Sequence, residues 1–115
     1  MKRTITILAA AATLMSATAA HTAEHTILIL PDAYFPAITY IDEGDTVHFE
    51  NVSGATHTII AKNDNWELGP ISNNATATKV IGSGVQKTFY NKDLTDENGA
   101  YVIQGNMSYS DAPLD

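Results

Sequence analysis

The sequence predicts an all-β fold, an antiparallel sandwich or barrel, on three observations. Short apolar, β-branched runs recur along the chain. Gly, Pro and Asn/Asp turn signals separate them. No stretch after the first twenty residues carries a convincing helical period. Many short strands at regular spacing mark this class.

The elements follow in order. HTILIL (25–30) is a strand that ends at Pro31. AYFPAITYI (33–41) holds Pro36, so its first part is an edge or a bend. EGD (43–45) is a turn. TVHFEN (46–51) alternates, with Val47 and Phe49 on one face and Thr46, His48 and Glu50 on the other. SGA (53–55) is a loop and HTIIA (57–61) a strand. KNDNWELGP (62–70) reads as loop. ATATKVI (75–81) and VQKTFY (85–90) are strands around GSG (82–84). NKDLTDENG (91–99) is a polar connection, AYVIQ (100–104) a strand, and NMSYSDAPLD (106–115) a tail. Phe35, Phe49, Phe89 and Tyr101 are expected in the core.

The chain has 115 residues, enough for one domain. Residues 1–20 have the anatomy of a cleaved secretory signal: Lys2 and Arg3, the apolar run ITILAAAATLM, then SATAA. The apolar run is short for a membrane span. Cleavage is expected after Ala19 or Ala20, leaving a domain over 21–115 that is exported to the periplasm or secreted, with no membrane attachment. A cut after Ala20 would make His21 the N-terminal residue, with an amine and an imidazole able to chelate one metal. The charge of −7 becomes −9 when Lys2 and Arg3 leave with the signal. Such an acidic chain offers little to neutralise phosphates, so nucleic acid is not an expected partner. There is no cysteine. The domain must stand on its core alone, and thiolate chemistry is closed to it.

The stretch FPAITYIDEGDTVHFEN (35–51), followed by His57-Thr58-Ile59, resembles the first half of a small cupredoxin of the plastocyanin, pseudoazurin and amicyanin kind. Phe35-Pro36-Ala37 matches that family's F-x-P segment. Gly44 to Asn51 matches its G-D-x-V-x-[FW]-x-N strand. GAYVIQ (99–104) is similar to the strand that leads into its ligand loop. The resemblance implies a Greek-key β-sandwich, copper as cofactor and electron transfer as the family role. A redox or copper-handling protein would be the partner. It makes His57 the best candidate for a metal ligand. His21 and His25 are weaker alternatives, and His48 is expected to face solvent.

A blue, type 1 copper site needs two imidazoles, a thiolate and a weak axial group. On this alignment the thiolate falls at Gly105, the second imidazole near Ser108 and the axial group near Asp111 or Ala112. None can serve, so no blue site is expected, and any copper site would be a hard one built on His57 with water or carboxylate. The family's last strand is not found in SYSDAPLD (108–115), which leaves the sandwich open to being incomplete at the C-terminus. The alternative function is a metal-free β-sandwich acting as a binding or assembly module, or a truncated cupredoxin remnant. No Ser/His/Asp grouping or HExxH motif is visible, so an enzyme is not expected.

Overall fold

A computed structural model describes residues 22–113. The expected signal segment and His21 lie outside the described residues. The strands are β1 (Glu24–Ile29), β2 (Tyr34–Phe35), β3 (Ile38–Tyr40), β4 (Thr46–Asn51), β5 (His57–Ala61), β6 (Glu67–Ile71), β7 (Thr76–Val80), β8 (Thr88–Asn91) and β9 (Gln104–Ser108). They form two sheets, ordered β2-β1-β4-β7 and β3-β9-β8-β5-β6, in a β-sandwich. Most pairings are antiparallel, as expected. β1 with β4 and β3 with β9 run parallel, so both sheets are mixed.

Period-two patterning explains the layers. Val47, Phe49 and Asn51 of β4 point inward and are buried, as are Ile27 and Ile29 of β1. The aromatic centre joins the sheets. Phe49 meets Phe89 edge-on at 5.3 Å, and Tyr34 meets Phe89 edge-on at 4.9 Å. Trp66 packs 6.1 Å from both phenylalanines and donates from Nε1 to the Gln86 carbonyl at 3.0 Å. Phe35 and Tyr101 are corrections to the expected core. Phe35 is 62% exposed on edge strand β2, and Tyr101 is largely outside, stacked on Tyr90.

Three strand assignments change. ELGPI, inside the segment read as loop, is strand β6 at the edge of the second sheet. Pro70 is tolerated there because an edge strand has a side that donates no ladder bond. AYVIQ is not a strand: Tyr101 makes one isolated bridge to Thr95, and the segment belongs to the 92–103 connection. The strand comes next, in the segment read as tail. β9 pairs with β3 on one side and β8 on the other, so the place of the strand expected to be missing is filled. Its apolar signal is thin because only Gly105 and Met107 face inward. Gly105 is there for space. A Cβ at that position would come within 2.3 Å of the Phe89 ring. Position 105 is therefore a packing position and not a ligand position.

At the opposite end of β4 from its buried Asn51, the EGD turn is anchored by Asp45. Its Oδ1 accepts the Ala23 N–H, and its Oδ2 accepts the Asp42 N–H and bonds to His25 Nε2, all within 2.8–2.9 Å. The Ala23 N–H first, then His25, lower its pKa from the ordinary 3.8 to about 2. The carboxylate form is thus favoured in the folded chain, and its stabilisation is complete above the unfolded value and lost as pH falls through the folded one. Asp45→Asn is expected to lower unfolding stability at neutral pH by about 2 kcal/mol, through loss of charge-assisted hydrogen bonds. The gap between parent and variant should narrow between pH ~4 and ~2 and close below that, as read by denaturant titrations across that range.

Candidate functional site

The site is built from the β4–β5 connection upward. Asn51 closes β4 and is fully buried. Its Nδ2 donates to the carbonyls of Ala55 and Ile71, both at 2.8 Å. Its Oδ1 accepts the Ser53 N–H and hydroxyl at 2.9 and 2.7 Å. One side chain thereby fixes the turn before His57 and the end of β6 beside it, because His57 pairs with Ile71. Gly69 completes the fit. It has φ +127°, and a Cβ there would lie 3.1 Å from the Thr58 Cα and 3.2 Å from the His57 carbonyl. Only glycine lets β6 come this close at that backbone conformation.

His57 therefore enters β5 held from both sides, with its side chain only 10% exposed. Its Nδ1 has no hydrogen-bond partner. The nearest charged atom is Asp93 Oδ2, 3.6 Å away, beyond hydrogen-bond range. Asp93 is itself positioned: Oδ2 accepts the Thr58 N–H at 2.8 Å, and its own N–H donates to Asn91 Oδ1 at 3.0 Å. The neighbouring Lys92 ammonium does not neutralise it, being engaged with Glu67 at 2.9 Å.

The 92–103 connection that carries Asp93 braces itself. Asp96 Oδ1 accepts the N–H groups of Asn98 and Ala100, Thr95 bridges to Tyr101, and Tyr101 stacks on Tyr90 at 5.0 Å. Asx-type bonds of this kind order a polar loop without an apolar core.

Among the described residues, four buried side-chain polar atoms lack a partner: Tyr34 Oη, Thr39 Oγ1, His57 Nδ1 and Asn91 Nδ2. Three of the four are linked to Asp93. It faces His57 Nδ1, and it binds Asn91 through the backbone, which turns the Asn91 amide nitrogen elsewhere. Burial first, and then the Asp93 charge, push the Tyr34 phenol above its ordinary pKa. An unpartnered buried group costs about 1–3 kcal/mol, so such groups are rare and call for a reason.

The other histidines are elsewhere. His25 is committed to Asp45, and His48 lies on the outer face with Nε2 bonded to Glu24 at 2.7 Å and Nδ1 to Thr78 at 3.1 Å. His48 thus faces outward, as its alternation predicts. Neither is brought to His57. Among the described residues, no three His, Cys, Asp or Glu side chains gather in one metal-binding group. Any ion held here would rely on His57, Asp93 and donors outside that set. Asn91, Asp93 and Tyr34 were not singled out in the sequence. The available signal was Asn-x-Asp directly after the apolar TFY run, a turn motif that ties the following backbone. Tyr34 gave none, since it reads as an ordinary aromatic before a proline.

Neither a protein-family model nor a curated protein sequence matches the chain.

Asn51→Ala is expected to destabilise the fold by about 2–4 kcal/mol, since it orphans two carbonyls and an N–H at once. Thermal unfolding followed by far-ultraviolet circular dichroism measures this. A loss below 1 kcal/mol would mean that the β4–β5 turn is held by something else.

Proposed function

We propose that the protein is an exported, cupredoxin-like copper-binding protein that holds Cu(II) at His57 and Asp93 and lacks blue-copper electron transfer. The observation that carries this reading is the buried, unpartnered Nδ1 of His57, facing a carboxylate that no cation neutralises. Imidazole and carboxylate are donors that suit Cu(II). At 3.6 Å the two atoms are too far apart for a hydrogen bond and near enough to share one ion.

The type 1 group does not fit these residues. On the resemblance, the ligand loop precedes the last strand, which here is the 91–103 segment before β9. That segment carries Asn91 and Asp93 but no Cys, His or Met. A thiolate is absent from the whole chain, so the covalent Cu–S character behind rapid electron transfer has no source. Bound copper supplies a positive charge here. The residues supply its place: His57 orients one nitrogen, Asp93 compensates charge, and the buried side keeps water from one flank. The role that follows is copper handling in the periplasm or outside the cell, with a copper-handling protein as partner. The reading assigns binding and no catalysis.

A second reading, the metal-free binding module, is favoured by one feature. Phe35 and Ile38, 62% and 46% exposed, flank the crossover between edge strands β2 and β3.

The test is a Cu(II) titration followed by electron paramagnetic resonance, on the parent, His57→Ala and His21→Ala. The copper reading expects one equivalent with a type 2 signal, retained in His21→Ala and weakened at least tenfold in His57→Ala. Binding that ignores His57, or no binding, transfers support to the metal-free module.

A further inference from the structure

We propose that Tyr34 supplies a third donor to the ion held at His57 and Asp93, its hydroxyl reaching the site from inside the sandwich. The inference rests on the copper reading above and extends it to a residue outside the cupredoxin-like motif.

Three observations carry it. The Tyr34 hydroxyl is buried and has no hydrogen-bond partner, although a buried tyrosine ordinarily finds one. Its ring is already fully used in packing: it meets Phe89 at 4.9 Å and covers Gly105, whose absent side chain leaves the room for it. Phenylalanine would make the same contacts without burying a hydroxyl, so packing alone does not account for the tyrosine. The phenol also feels the Asp93 charge directly, which puts it within electrostatic reach of the carboxylate that faces His57.

The donor set then becomes one imidazole nitrogen, one carboxylate oxygen and one phenol oxygen. All are hard or borderline, and none is sulfur. Such a set takes a divalent ion, Cu(II) before Cu(I). It also supplies what His, Cys, Asp and Glu side chains do not, a third ligand. When the ion binds, the phenol proton leaves to solvent and the oxygen carries the charge. Asn91, whose amide nitrogen is likewise buried and unpartnered, is placed to donate to a ligand oxygen and not to coordinate.

A structural role and a ligand role for this hydroxyl predict opposite things. If the hydroxyl is held for metal, Tyr34→Phe leaves the metal-free protein as stable as the parent or more so. The same change weakens Cu(II) binding at least tenfold. It also abolishes the visible phenolate-to-Cu(II) charge-transfer band that the parent develops on titration. The experiment therefore measures the melting temperature of the chelator-treated protein, then Cu(II) affinity and absorption, for the parent, Tyr34→Phe and His57→Ala. Equal affinity and an unchanged spectrum in Tyr34→Phe, with binding lost in His57→Ala, overturns the Tyr34 assignment and leaves the His57 site standing. A lower melting temperature of metal-free Tyr34→Phe, with no change in the spectrum, overturns it too, because the hydroxyl then has a structural partner. Unchanged binding in both variants removes the copper reading and the Tyr34 assignment together.

Discussion

Everything near His57 depends on how Asn51 spends its hydrogen-bonding capacity. The side chain is fully buried, so each of its polar atoms must find a partner inside the protein. It finds them in three places: the Ser53 turn, the Ala55 carbonyl and the Ile71 carbonyl of the facing sheet. The backbone of the same residue adds a bond to Ala75 and accepts one from Asn74. A single amide thus ties the end of the first sheet to the end of the second. Buried polar networks of this kind give a unique geometry when every member is satisfied. That geometry makes His57 a fixed group on a rigid strand, although it directly follows a loop.

The opposite condition holds a short distance away. Around Asp93 the carboxylate is satisfied by Thr58, while His57, Asn91 and Tyr34 each present an atom with nothing to bond. A fold that completes its polar bookkeeping at Asn51 and leaves it open beside Asp93 separates scaffold from site. Departures from local satisfaction tend to mark function, since stability alone would remove them. The electrostatics point the same way. Lys92 is turned to Glu67, and the chain as a whole is acidic, so a cation meets no competing positive charge at Asp93.

Much of this was legible in the sequence and part was not. The alternation of TVHFEN fixes which side chains face inward, and the structure follows it residue by residue. His57 stands out because a loop delivers it into an apolar strand. Strands β6 and β9 were hidden for different reasons. In ELGPI, Gly69 and Pro70 imitate a turn, yet both are explained by an edge strand that presses on His57. In QGNMS, glycine and methionine carry the inward face, so apolar patterning is nearly silent. Misplacing β9 moved the expected ligand loop from the 91–103 segment to the far side of Gly105. Asp93 could not be ranked above the other loop acids, because its importance comes from the Thr58 and Asn91 bonds, which are long-range or conformational.

The most direct test of the central claim, that His57 Nδ1 is an open ligand position held by the fold, is a ¹⁵N NMR spectrum of the imidazole ring nitrogens during addition of Zn(II). Zinc is diamagnetic and shares the imidazole and carboxylate preference. The account predicts a large shift of His57 Nδ1 at one equivalent, with the ring nitrogens of His25 and His48 unmoved in their bonds to Asp45, Glu24 and Thr78. A silent His57 ring, or a first shift at His21 or His25, would contradict it.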